Sequence, residues 1–383
     1  MKPIAIVAGA RPNFMKVAPI LRACARRDVE ALLVHTGQHY DASMSGSFFD
    51  VLGLPEADVN FGVGSGSHAV QTAGVMTAFE AWLETTPVDA VVVVGDVNST
   101  MACSVVAAKL GVPVAHVEAG LRSFDRTMPE EINRVVTDGL ATWLFTTTDD
   151  AVDNLLAEGA DQSRIFAVGN VMADSLLHSI ERARLRAPWT HLDLPERFGL
   201  ITLHRPALVD NSERLNEILK TLAEIAPSCP FVFPIHPRTR ANVESAGLDV
   251  TNFRLIEPLD YLDFLAMQER AAVVVTDSGG VQEETSLLGT WCVTVRENTE
   301  RSITVTRGTN TLVGFDLDRL RSAVILALAR GRAAPASIPG WDGNAAERIV
   351  DALVAGPPRV EWIPPITAQT ASDAHRASFC ESD

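Results

Sequence analysis

Short apolar runs, each followed by a Gly- or polar-rich turn and then an amphipathic stretch, recur along the chain. The runs predict strands at 3–8, 30–36, 89–94, 113–118, 142–147 and 165–168, and a second set at 199–203, 230–236, 252–256, 272–276 and 291–295. Runs such as Ala90-Val91-Val92-Val93-Val94 are continuous rather than alternating, the pattern of parallel strands covered on both faces. Segments 12–27, 68–84, 98–110, 211–226 and 318–330 have helical length and lie between them. Alternation of strand and helix predicts an α/β chain with doubly wound parallel sheets and right-handed crossovers. The texture occurs twice, changing near 170–198, without an internal sequence repeat. The expectation is therefore two Rossmann-like domains facing a central cleft, at 1–170 and 171–342. A helix at about 343–356 is a candidate to pack back on the first, and the Pro- and Ser-containing stretch 357–383 reads as a poorly ordered tail.

Composition narrows what such a fold can do. Of 383 residues, 47% are hydrophobic and 21% charged, a globular balance that suits two domains of ordinary size. A formal net charge of −16 argues against a nucleic-acid partner, which needs a basic footprint, but not against a small phosphorylated ligand. Five scattered cysteines (Cys24, Cys103, Cys229, Cys292 and Cys380) show no metal-ligand spacing and predict reduced thiols without a zinc site. No apolar run reaches the ~18 residues of a membrane span. The first strand begins too early to leave room for a signal peptide, so a cytoplasmic location is expected.

In doubly wound sheets ligands bind beyond the carboxyl ends of the strands, and polar clusters fall there repeatedly. Gly9-Ala10-Arg11-Pro12-Asn13-Phe14-Met15-Lys16 follows the first strand. Pro12 suits a first helical position, which puts Arg11 at a helix start and Lys16 a turn inside. That is either an anion site or an ordinary turn with surface cations. The remaining glycines of the dinucleotide fingerprint are absent, so NAD is not expected. Gln38 and His39 follow the second strand. Asp96, after Gly95, is either catalytic or a helix cap. Glu118 ends a buried strand, where a carboxylate is costly unless paired or used. Glu130 either pairs with Arg134 at i,i+4 on an acidic helix start or joins Asp96 and Glu118 as an acid/base constellation. His204-Arg205 and His236 end the first two strands of the second half. Ser278-Gly279-Gly280 leads from a buried strand into a helix, either capping it or offering backbone amides to a phosphate. Glu284 is placed to accept hydrogen bonds from a ribose diol, and Arg301 adds a cation to the same rim.

In this order the segments resemble the non-hydrolysing UDP-N-acetylglucosamine 2-epimerases, members of the glycosyltransferase-B fold. The similarity runs from Ile4 to about Gly314 and includes GARPNFMK at 9–16, TGQHYD at 36–41, GDVNST at 95–100 and HVEAGLRS at 116–123. PEEINR at 129–134, LHRP at 203–206, FPIHPRTR at 233–240, TDSGGVQEE at 276–284 and RENTER at 296–301 continue it. The resemblance implies catalytic or leaving-group roles for Asp96, Glu118, Glu130 and His204. It implies UDP-sugar contacts for Arg11, Lys16, Arg134, His236, Ser278, Gly279, Gly280, Glu284 and Arg301. Gln38, His39, Gln71 and Arg205, with His236 near them, match a neighbouring site where some bacterial members bind substrate as an activator. It further implies a UDP-sugar substrate, a homodimer and no metal or redox cofactor.

Some positions depart from the family pattern. Val70 stands where activator-binding members often carry Arg, Ala207-Leu208-Val209-Asp210 follows His204-Arg205-Pro206, and Trp291 and Ser302 replace common prolines. These departures leave open a modified UDP-diacetamido sugar as substrate. A hydrolysing epimerase, a glycosyltransferase of the same fold and a non-catalytic UDP-sugar sensor are the competing readings.

Overall fold

Each apolar run forms a strand in the computed structural model, which describes residues 2–37, 49, 51–235, 239–240, 243 and 253–358. The first sheet contains β1 (Ile4–Ala8), β2 (Ala31–His35), β3 (Val59–Asn60), β4 (Ala90–Val94), β5 (Val114–Ala119), β6 (Trp143–Thr146) and β7 (Ile165–Ala167), in the order β3-β2-β1-β4-β5-β6-β7. The second contains β8 (Gly199–Thr202), β9 (Phe231–Pro234), β10 (Phe253–Ile256), β11 (Val273–Thr276), β12 (Cys292–Thr294) and β13 (Asn310–Leu312), in the order β10-β9-β8-β11-β12-β13. All pairings are parallel.

The helices of the first half are α1 (Arg11–Arg26), α2 (His68–Thr85), α3 (Asn98–Lys109), α4 (Pro129–Leu140) and α5 (Asp149–Ala157). Next come α6 (Val171–Arg186), α7 (Pro206–Val209), α8 (Ser212–Ile225), α9 (Tyr261–Arg270) and α10 (Gly279–Leu288). The last are α11 (Ser302–Thr306), α12 (Leu317–Arg330) and α13 (Ala345–Val354). No helix among the described residues is long and apolar enough to cross a membrane.

The continuous strands have the covering that their sequence requires. Ile4 and Ile6 of β1 face α1 and α6, while Ala5 and Val7 face α2 and α3. In the second sheet Ile201 and Val275 pack with α8 and α12, and Leu200 and Val274 pack with Met267 of α9. Each fully buried Val, Leu or Ile contributes about 1.5–3 kcal/mol relative to exposure.

The halves are joined through α6. Its Leu176, Ile180 and Ala183 share one core with α1 and with Leu262 and Leu265 of α9. The α13 helix lies on α1, where Arg27 pairs with Glu347 at 3.1 Å and both Arg26 and Arg27 make further ion pairs to Glu347 and Asp351. Gly169, at φ +87°, passes so near Gly340 that a Cβ would collide with its carbonyl. Of the expected tail, residues 359–383 lie outside the described residues.

Chain order reverses between β1 and β4 in the first sheet and between β8 and β11 in the second. A crevice opens beyond the strand ends at such reversals. The two crevices face one another.

Candidate active site

The cleft between the halves has a volume of about 370 Å³ and is lined from both. Lys16, Asp96 and Glu130 come from the first half; His204, Arg205, Ser278, Gly279, Gly280, Glu284 and Arg301 come from the second.

The turn after β1 is set by Asn13, whose Oδ1 accepts the amides of Gly9 at 3.1 Å and Ala10 at 2.9 Å. Its Nδ2 donates to the Val94 carbonyl at the end of β4, tying the two central strand ends together. Arg11 opens α1 as expected, although its side chain lies outside the described residues, as do Gln38, His39 and His236. Gln71 is buried on α2 and holds the Gly64 carbonyl and the Asn98 amide; it does not line the cleft. Arg205 does line the cleft.

Asp96 does not cap α3, whose first turn has no side-chain cap. Its Oδ2 accepts from Arg134 Nε at 3.0 Å and Nη2 at 2.8 Å. Burial would raise this carboxyl, but Arg134, Lys16 and Arg301 outweigh burial and hold it below the usual range. Arg134 is spent on Asp96 and Glu131 and makes no pair with Glu130, which leaves the i,i+4 reading without support. Glu130 is half-buried and lines the cleft.

Glu118 sits at a register shift of β5, with φ +73°. A non-glycine residue in that region carries about 1–3 kcal/mol of strain. Its Oε2 receives Lys16 Nζ at 2.7 Å and Arg301 Nη2 at 3.1 Å, and its Oε1 is buried without a hydrogen-bond partner. The carboxylate therefore lies behind the two cations rather than in the cleft wall.

The second half supplies an anion cradle. No side chain caps α10, which leaves its first amides without a partner inside the helix, and Gly279 and Gly280 line the cleft at this positive helix end. Glu300 lies so close to Gly279 that a Cβ there would come within 2.8 Å of its Oε1. Glu284 is fully inside and accepts from Gln268 Nε2 at 2.7 Å; burial pushes its carboxyl up to about 7. His204 is largely exposed, and its Nδ1 lies 3.0 Å from Asp277 Oδ1.

A family model described as UDP-N-acetylglucosamine 2-epimerase matches residues 22–354. The chain is 41% identical over 364 residues to the UDP-N-acetylglucosamine 2-epimerase of Methanocaldococcus jannaschii, an alignment covering 92% of this chain and 99% of that protein. The chain belongs to the UDP-N-acetylglucosamine 2-epimerase family. As an epimerase it is an isomerase. It is also 40% identical over 357 residues to the UDP-2,3-diacetamido-2,3-dideoxy-D-glucuronate 2-epimerase of Pseudomonas aeruginosa, covering 92% of this chain and 99% of that one. The crystal structure of the M. jannaschii enzyme in complex with UDP-GlcNAc and UDP superposes with a TM-score of 0.86 at 41% identity, covering 93% of this chain and all of that one. The facing sheets are the glycosyltransferase-B arrangement.

Sequence reasoning missed three groups of this epimerase's site. Glu283 is buried beside the cleft, 2.9 Å from Arg301 Nε and bonded to Asn170 Nδ2 at 2.9 Å. Burial above all, with Glu118 adding to it, pushes Glu283 up to about 7. Glu300 pairs with Arg296 at 2.8 Å; burial opposes its charge, but Arg301, Arg296 and Arg134 hold it well below the usual range. Asp277 accepts the amides of His204 and Arg205 and so fixes the imidazole from behind. The tandem acids and the strand-end Asp were visible, but their partners come from distant segments.

Proposed function

We propose that the chain interconverts UDP-N-acetylglucosamine and UDP-N-acetylmannosamine by eliminating UDP and adding it back. C2 of a pyranoside is not next to a free carbonyl, so losing its proton alone gives no stable enolate. If the C1–O bond breaks as the C2 proton leaves, the products are UDP and 2-acetamidoglucal, in which C2 has lost its stereochemistry. Return of UDP to C1, with protonation of C2 from the opposite face, gives the epimer with all atoms conserved.

The observation that carries this reading is the cleft itself, where Asp96 and Glu130 meet Arg301 and the open amides of α10. In this reading Asp96 and Glu130, which line the cleft, handle the C2 proton, and Glu118, read from the sequence as a third, holds Lys16 and Arg301 from behind. His204 stabilises the leaving oxygen. The Ser278–Gly280 amides and Arg301 hold the diphosphate, with Lys16 and Arg134 as its positive background. Glu284 takes the ribose diol, and Arg11 and His236 belong to the same nucleotide contact. Contacts between the halves, such as Ser302 Oγ to Asp150, favour a closed cleft that retains glucal and UDP together. The homodimer and the cytoplasmic setting belong to the same proposal.

The test is proton NMR of the purified enzyme with UDP-N-acetylglucosamine in deuterium oxide. UDP-N-acetylmannosamine carrying deuterium at C2, without accumulating UDP, supports the proposal. Free UDP with N-acetylmannosamine replaces it with a hydrolysing epimerase. A second reading, a UDP-diacetamido-uronate substrate, is favoured by the similar identity to the P. aeruginosa enzyme and by half-buried Arg205, a cation in the cleft suited to a sugar carboxylate. Faster turnover of that sugar in the same assay would establish it.

A further inference from the structure

His116 belongs to the HVEAGLRS segment, is completely buried on β5, and has no part in the chemistry above. Its Nδ1 lies 2.6 Å from Asp138 Oδ1, and its Nε2 lies 2.8 Å from the carbonyl oxygen of Gly95. A carbonyl can only accept, so Nε2 carries a hydrogen. Asp138 is itself engaged as an acceptor: its Oδ2 takes the Gly120 amide at 3.1 Å and lies 2.7 Å from Arg122 Nη2. Those two donors, one of them a guanidinium, hold the carboxyl ionised against the pull of burial, so Nδ1 must donate as well. A neutral imidazole has one donor and one acceptor nitrogen and would set a lone pair against an oxygen at one of the two contacts. The ring is therefore an imidazolium.

The position of this pair matters more than its charge alone. Gly95 immediately precedes Asp96, and its own amide is bonded to Val117, immediately before Glu118. Gly120 follows Glu118 by two residues, at φ +78°, in a space where a Cβ would collide with the Ala151 carbonyl. One buried ion pair thus grips the backbone beside both carboxylates. Around it, Arg122 is shared with Glu158, and Arg164 donates to the Asp138 carbonyl at 3.0 Å.

We propose that His116 is a positioning residue: as a buried imidazolium paired with Asp138, it holds the strand ends that present Asp96 and Glu118. The proposal rests on the roles given to those two carboxylates above.

Three measurements test it. In nitrogen-15 histidine-labelled protein, His116, identified by its loss in H116N, should show two N–H donors in the folded enzyme. A neutral tautomer there would overturn the charge assignment. Asn and Gln can each keep only one of the two bonds and cannot carry charge. In H116N and H116Q, hydrogen exchange at 94–98 and 117–121 should accelerate while β8–β13 is unchanged; wild-type exchange at both segments would overturn the clamp. With the sugar that the enzyme turns over, both variants should lose about tenfold or more in kcat, with KM within about threefold. Near-normal kcat, or equal losses in kcat and UDP affinity, would overturn the positioning role. The first two readouts do not depend on the substrate, so their failure is distinguishable from failure of the proposed reaction.

Discussion

Replacing Glu284 with Gln should make the protein more stable and bind UDP less well. Glu284 is 4% exposed, and burial raises its carboxyl from 4.5 to about 7. In the unfolded chain the group ionises near 4.5; in the folded chain it keeps its proton to about 7. The folded state therefore binds more protons between these values, and its stability falls as pH rises through that window. The shift of about 2.5 units, at about 1.4 kcal/mol each, corresponds to a cost of about 3 kcal/mol that is absent below pH 4.5 and fully present above pH 7. Gln has the same shape, keeps an oxygen for Gln268, and carries no charge. Urea unfolding should show E284Q about 2–3 kcal/mol more stable than wild type at about pH 8 and nearly equal to it at about pH 4.5. If Glu284 binds the ribose diol, titration calorimetry should show UDP affinity lower by about 10–100-fold, the usual effect of losing a charged hydrogen bond. A stability difference independent of pH would refute the electrostatic argument, and unchanged UDP affinity would refute the ribose role.

Other substitutions separate charge, chemistry and support. D96N should cut kcat by about 100-fold or more with UDP affinity retained, measured by turnover and calorimetry; near-normal turnover would remove Asp96 from the proton chemistry. R301Q leaves Glu118, Glu283 and Glu300 without their shared cation, so denaturant melts should show a loss of about 3–5 kcal/mol. The part of the loss due to Glu283 should shrink as pH falls toward 7, because without Arg301 its carboxyl is pushed further up and takes up a proton first in the variant. D277N should lower kcat about tenfold with UDP affinity retained, because His204 loses the carboxylate that orients it; equal kcat would show that His204 acts without that support.

Parallel strands buried on both faces must be apolar throughout, so β4 and β11 announced themselves as runs of valine. The strands missed by this logic are the edge pieces β3 and β13. Two residues, Val59–Asn60, are too short to make a run. In β13, Asn310 is buried because it spends its side chain on Thr294, Gln282 and Thr304, partners that no local pattern reveals.

The site divides along the same line. Residues recognised by position, such as Asp96 at a strand end and Ser278–Gly280 at a helix start, follow from fold topology and could be read in advance. Residues whose state depends on a distant partner could not. Glu284 could be placed toward a ribose diol, but nothing local shows that it and its neighbour Glu283 are buried. In the fold both are buried, one against Arg301 and Asn170 and the other against Gln268, and both are driven toward neutral pH. Arg134 shows the converse. Its spacing from Glu130 suggested a surface pair, yet Asp96, far away in sequence, captures it. Local spacing identifies which side chains can pair, while burial decides which pairs are worth making. Near the cleft the cost of an unpaired charge is highest, and there the long-range partner prevails.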